Sequence, residues 1–452
     1  MLGTMSMGKL VVKISVPIMI SMLVQALYNV VDGIFVARYS ADALTAVSLA
    51  FPIQMLMIAA STGLGVGINS LISRRLGARR AEEARDAAKN GIFMQLCAYL
   101  LFLLFGLLGA GPVFRLLTPE AQLQALGSEY LSIVCIFSFG LFMSITFERI
   151  MQSTGNTVLS MATQLTGAVI NIILDPIMIF GLLGFPAMGI AGAAVATVVG
   201  QISGMMLGLF LNQKFNRELR ISLKGFRPSG KIMKRIFAVG FPSIIMQSVS
   251  SAMNVTMNLI LMTYGATAVS VLGVYMKLQS FIFMPVLGLS NGLVAIIGYN
   301  YGAKLRARIY AAIKVALCFS LAIMATGMLA FLLIPGTLLS LFEANGASEL
   351  TVLGTKALRT ICFSFPMAAI GIILSTVFQA VGRGFYSLSM SVSRQLVVLL
   401  PAAWILSRLG GLNAIWWAFA IAEMFCLALS LVLYVKADRE LFKPLGEASA
   451  NK

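Results

Sequence analysis

Asp32 is the one charge in ISVPIMISMLVQALYNVVDGIFVA, residues 14–37, and Asp175, in NIILDP, lies inside a second apolar stretch, 158–183. Each stretch exceeds the roughly 20 residues that a helix needs to cross a bilayer. Ionisable groups at such depth are costly, and they mark ion or substrate pathways. At 1.5 Å per residue both carboxylates stand about 26 Å from the cytoplasmic start of their spans, a depth at which they can share a site. Asn171 precedes Asp175 by four residues, which puts the two on one helix face. Tyr28 precedes Asp32 by the same interval, with Asn29 beside it, and Thr197 reaches a similar depth in a later span.

Two carboxylates, amide oxygens and hydroxyls form an oxygen-rich, nitrogen-poor set. It suits a proton or a hard cation such as Na+. Two carboxylates away from water oppose each other as bare anions, so a proton or cation between them is favoured. The competing reading is structural: a hydrogen-bonded pair, or an Asp175 that caps backbone groups freed by Pro176. Pro17, fifteen residues before Asp32, is a candidate hinge.

A second set of charges, Lys277, Arg394 and Glu423, lies at mid-depth in later spans. It reads either as a buried ion-paired cluster or as a contact for an anionic or zwitterionic substrate. Glu148, beside Arg149 at a cytoplasmic span end, reads as interfacial. The five cysteines fall in or beside apolar runs and read as small buried hydrophobes. With no histidine and no CxxC pair, a zinc site or a His-based catalytic triad has no material. The expectation is a protein that is not an enzyme and carries no cofactor.

The elements that hold these residues are helices in lipid. Of 452 residues, 59% are hydrophobic and 11% charged, against about 25% charged in a soluble domain. Twelve spans are predicted, near 14–37, 44–73, 91–112, 127–152, 158–183, 188–213, 236–262, 268–299, 310–335, 350–381, 385–408 and 412–436. With the N-terminus inside, most of the 33 Lys and Arg lie at cytoplasmic ends and loops; Arg38, Arg115, Lys356, Arg359 and Arg408 are the outer ones. That bias is the positive-inside pattern. It accounts for the net charge of +17 as a topology signal with anionic lipid as its partner, rather than nucleic acid. RRLGARRAEEARDAAK, residues 74–89, reads as a charged interfacial helix.

The first half aligns with the second at an offset of 225 residues. Pro17 falls on Pro242, Asn29 on Asn254, Gly63 on Gly288 and Gly67 on Gly292, while Asp32 falls on Met257. The chain therefore reads as an N-lobe, 1–213, a basic cytoplasmic linker, 214–235, and a C-lobe, 236–452. The expected architecture is an all-α membrane protein, twelve transmembrane helices in two parallel six-helix lobes related by a pseudo-twofold axis along the membrane normal. Such repeats are the build of alternating-access transporters, and the carboxylate is peculiar to the first lobe.

Taken together, Pro17 and Asp32 in the first span, QSTGNT (152–157), NIILDP (171–176), GIAGAAVAT (189–197), PVLGLSNGLVAIIGYNYGAK (285–304) and FQAVGRG with SVSRQ (378–395) resemble the multidrug and toxic compound extrusion family over nearly the whole chain. IIGYNYGAK and SRQ look most like its staphylococcal-type branch. The resemblance implies a secondary antiporter in a bacterial or archaeal cytoplasmic membrane, both termini cytoplasmic, acting as a monomer. It would export lipophilic, often cationic, small molecules in exchange for H+ or Na+. The family's first-lobe cation site carries over to Asp32, Asn171 and Asp175, with Tyr28 and Thr197 nearby, and cation binding there is thought to bend the first span. The branch named for norfloxacin export has acids in the seventh and tenth spans; this chain has none in either, which leaves coupling to the first lobe. The alternative within transporters is a flippase for lipid-linked oligosaccharides or another amphiphile.

Overall fold

The computed structural model describes residues 1–216, 218–220, 225–342 and 349–445. Part of the expected linker, at 217 and 221–224, lies outside them. Among the described residues all regular structure is helical, as hydrocarbon requires of a chain whose backbone groups must find their partners internally. Among the described residues eleven helices are long and apolar enough to cross a membrane, and a bent pair makes a twelfth if it counts as one span.

The chain divides into two compact units, Ile20–Ile244 and Met1–Met19 with Ile245–Lys452. The first unit takes most of α1 (Met7–Tyr39) and all of α2 (Ala41–Gly77), α3 (Ala81–Leu108), α4 (Ala110–Leu117), α5 (Ala121–Ile136), α6 (Phe139–Ser153), α7 (Thr157–Phe180) and α8 (Gly189–Phe215). Its core gathers Phe114, Tyr130, Leu131 and Phe142. The span expected as one helix over 127–152 is α5 and α6 bent by 43°. Ser138, fully buried at the bend, turns its hydroxyl back to donate to the Cys135 carbonyl at 2.8 Å.

Residues 74–89 do not form the expected interfacial helix. α2 continues through Gly77, and α3 restarts at Ala81 after a tight turn in which Arg79 has φ of 60°. An Arg75–Glu83 ion pair at 2.8 Å closes that turn.

The second unit holds α9 (Gly230–Met262) beyond Ile244, then α10 (Ala266–Gly302), α11 (Arg306–Leu333), α12 (Pro335–Ser340), α13 (Glu349–Ile361), α14 (Phe365–Ala380), α15 (Gly384–Val392), α16 (Leu400–Ile415) and α17 (Trp417–Ala437). Tyr275, Phe331, Phe365 and Trp416 centre its core. The turn after α10 repeats the one after α2: Lys304, at the offset of 225 from Arg79, also has positive φ, 58°.

The unit boundaries fall inside α1 and α9, at positions that the same offset superimposes: Met19 onto Ile244. In the first unit a Cβ on Gly63 would lie 2.6 Å from the Ile244 side chain. In the second, a Cβ on Gly288 would lie 2.6 Å from the Met19 backbone. Both helix pairs approach through these notches, as small residues permit in lipid. The N-terminus is held within the second unit, where Arg308 donates to the carbonyls of Leu2 and Met5 at 3.1 and 2.8 Å.

Candidate functional site

α7 carries Asn171 and Asp175 on one face, 2% and 0% exposed. Asn171 Nδ2 donates to Asp175 Oδ1 and to Thr197 Oγ1 of α8, both at 3.3 Å. Thr197 reaches in because α7 and α8 touch nearly backbone to backbone. A Cβ on Gly200 would stand 2.7 Å from the Gly167 carbonyl oxygen and 3.1 Å from Asn171 Cβ. A larger residue there would push Asn171 off its two acceptors.

α1 supplies Asp32, whose carboxyl lies close enough to that of Asp175 for the two to interact. Tyr28, one turn earlier, lies beside Gln25 and close enough to feel both carboxylates. Gln25 in turn accepts from Gln164 Nε2 of α7 at 3.2 Å. Asp32, Asp175, Asn171, Tyr28 and Thr197 are therefore brought together in one unit. Asn29, also on α1, is exposed.

Two contributors escaped the sequence reading. Tyr130 of α5, 3% exposed, is near enough to interact with Asp32, Tyr28 and Asp175. Gln54 of α2 donates to its hydroxyl at 3.0 Å. Uncharged and isolated in apolar runs, neither stands out by spacing. Asp32 Oδ1, Asp175 Oδ2 and Asn171 Oδ1 are buried with no donor among the described residues. Buried acceptors without donors cost free energy, and two apposed carboxyls need a proton or a cation between them. The donor set fits either.

The second set of charges is only partly assembled. Arg394 and Glu423 pair at 2.9 Å with Tyr275 beside them, and Glu423 Oε2 has no donor among the described residues. Arg394 stands in a π-helical stretch, Ser393–Leu399, between α15 and α16. Lys277 is not in this cluster: it is exposed, its ammonium 5.8 Å from the centre of the Phe342 ring. Met257 is fully buried in the apolar core of its unit. Pro17 lies in the part of α1 that belongs to the second unit. Glu148 is not simply interfacial. Ser144 donates to it at 3.4 Å, and its neighbour Arg149 is 6% exposed and donates to Gln152 at 3.1 Å.

Comparison with known proteins adds a relationship. The family model MatE matches twice, over residues 17–177 and 242–405. The multidrug export protein MepA of Staphylococcus haemolyticus is 28% identical over 430 residues, covering 95% of this chain and 93% of its own. Among solved structures, a multidrug resistance MATE family transporter of the MOP superfamily in an outward-facing conformation superimposes with a TM-score of 0.91 at 28% identity, over 99% of this chain and 98% of the other. A MOP superfamily transporter from Pyrococcus furiosus does so with a TM-score of 0.90 at 28% identity, over 97% and 98%.

Proposed function

The chain belongs to the MatE family, and from that premise we propose that it is a secondary antiporter. It exports lipophilic, often cationic, small molecules in exchange for H+ or Na+. The staphylococcal relatives bear the name of multidrug export proteins, and the many apolar helices make this a multi-pass membrane protein. The distribution of Lys and Arg supports cytoplasmic termini and contact with anionic lipid. We read the working unit as a monomer.

One observation carries the coupling reading: Asp32 and Asp175 lie close together, and each keeps a buried oxygen without a donor among the described residues. In this reading a proton or Na+ enters between the two carboxyls, with the Asn171 and Thr197 oxygens alongside. Its arrival relieves the repulsion between the anions and draws α1 toward α7. Pro17 lacks an amide hydrogen, so α1 can flex there at little cost. Binding of the ion and the shape of α1 then become linked, and alternating access follows when the substrate favours the other shape.

The test uses purified protein in liposomes with ethidium as the transported dye. A pH gradient alone and a Na+ gradient alone are imposed on wild type and on Asp32→Asn. Gradient-driven transport that disappears in the variant supports the reading and names the ion. Equal transport by both proteins sinks it.

A further inference from the structure

A string of polar side chains leads from the carboxylates to the far end of α6, all of it within the first unit. Gln25, beside Tyr28, accepts from Gln164 Nε2 of α7 at 3.2 Å. One turn back on the same face of α7 stands Ser160, 2% exposed, whose hydroxyl accepts from Gln152 Nε2 of α6 at 2.9 Å. Gln152 Oε1 accepts in turn from the buried Arg149 at 3.1 Å. The residue before Arg149 is the half-buried Glu148, to which Ser144 donates at 3.4 Å. From Asp175 to Ser160 alone the descent along α7 is about 22 Å at 1.5 Å per residue. In the orientation that the Lys and Arg distribution supports, it ends on the cytoplasmic side.

The lower end of the string is polar on its other side too. Arg149 packs into a notch of α2, where a Cβ on Gly65 would lie 2.9 Å from its Cγ. One turn to either side of that notch, Ser61 Oγ and Asn69 Nδ2 are buried with no partner among the described residues. Buried polar atoms of this kind are met by internal water. The repeat acts as an internal control. The offset of 225 carries Asp32 onto Met257 and Asp175 onto Leu400; the offset of 227, which aligns Gln152 with Gln379, carries Glu148 onto Ser375 and Arg149 onto Thr376. The second unit has thus lost the ionisable groups at both ends of the string together, as it would if they work together.

We propose that Glu148 is the carboxylate through which the coupling proton leaves the first unit toward the cytoplasm. The inference rests on the antiport reading and narrows its ion to H+. In the step an O–H bond at the Asp32–Asp175 site breaks and an O–H bond forms on the Glu148 carboxylate. The amides do not carry the proton themselves. Water hydrogen-bonded to them does, each molecule taking one proton and passing on another, so one positive charge moves and nothing is oxidised or reduced. Carboxylates in series are the usual relay through a membrane protein. Arg149 is the charged group that acts on Glu148; α2, α3, α7 and α8, packed around α6, present no other to it among the described residues. Its fixed positive charge opposes a proton resting midway along the string.

The full chain in liposomes tests it, with ethidium transport driven by a pH gradient in wild type, Glu148→Gln and Glu148→Asp. Without the carboxylate the proton has to leave to hydroxide, so the variant lags most where hydroxide is scarce. The ratio of Glu148→Gln to wild-type transport should be roughly one-tenth or less with the cytoplasmic side at about pH 7, and climb toward equality as that side is made alkaline. Glu148→Asp should recover most of the rate, and ethidium affinity without a gradient should match wild type in both. Gln164→Met, which interrupts the string at a half-buried position, is the second arm and should show the same climb even if Glu148→Gln folds poorly. A ratio that stays constant across cytoplasmic-side pH in both arms marks these side chains as scaffold and overturns the inference, while the antiport reading stands. Transport driven by Na+ and indifferent to pH does the same. No gradient-driven transport by wild type overturns both.

Discussion

Asp32 of α1 and Asp175 of α7 present their carboxyls to each other, and Asn171 holds only the latter, through Oδ1 at 3.3 Å. The two acids are thus unequal: one is anchored by a neighbour on its own helix, the other is free to follow α1. Asp175→Asn should therefore preserve folding and the Asn171–Thr197 contact but abolish gradient-driven efflux, because a neutral amide can neither exchange a proton nor balance a cation. The liposome assay with ethidium checks it; efflux within a few-fold of wild type would move the coupling ion elsewhere.

Tyr130→Phe removes the hydroxyl that accepts from Gln54. The amide loses its partner at a cost of about 1 kcal/mol, and the wall next to Asp32 becomes apolar. The expected result is a small fall in thermal stability together with a several-fold change in the ion concentration at half-maximal efflux. A change in stability alone would mark Tyr130 as scaffold.

The Arg394–Glu423 pair answers to a double-mutant cycle. Arg394 and Glu423 side chains are 28% and 13% exposed, so removing either partner strands a charge. Arg394→Met alone and Glu423→Leu alone should each destabilise by about 3 kcal/mol, and the double variant by much less. Thermal melts in detergent measure all four corners. If the double variant is stable yet transports poorly, the pair has a role in transport as well as in structure.

Gly200→Ala places a methyl 2.7 Å from the Gly167 carbonyl oxygen and 3.1 Å from Asn171 Cβ. Separating α7 from α8 should cost about 1–3 kcal/mol and break the Asn171–Thr197 contact. Efflux should fall more than expression does. A fully active Gly200→Ala protein would show that Thr197 is dispensable.

Arg308→Ala withdraws two hydrogen bonds from the carbonyls of Leu2 and Met5. The first residues should become sensitive to limited proteolysis and exchange their amide hydrogens faster, with the rest of the chain unaffected.

The sequence made the spans and the carboxylates legible because charge inside a long apolar run is rare and depth follows from counting residues. It could not give rotation about a helix axis. Lys277, Arg394 and Glu423 share a depth, but Lys277 points away to Phe342 while the other two meet. Bends are equally silent: the break between α5 and α6 falls at one buried serine, and the turn at Arg79 interrupts a segment whose composition favours a continuous helix. Tyr130 and Gln54 became visible only once three helices had been placed around Asp32.

The boundary between the units runs through α1 and α9, not through the connection between the halves. Its consequence is temporal. A ribosome adding about 5–20 residues per second delivers Met19 long before Gly288, the notch that receives it, exists. The leading turns of the first helix must wait in the membrane for a partner from the far half of the gene. A truncated product ending in the middle would leave that helix end without a seat, and the two halves expressed as separate chains would each have to borrow a helix from the other to become whole.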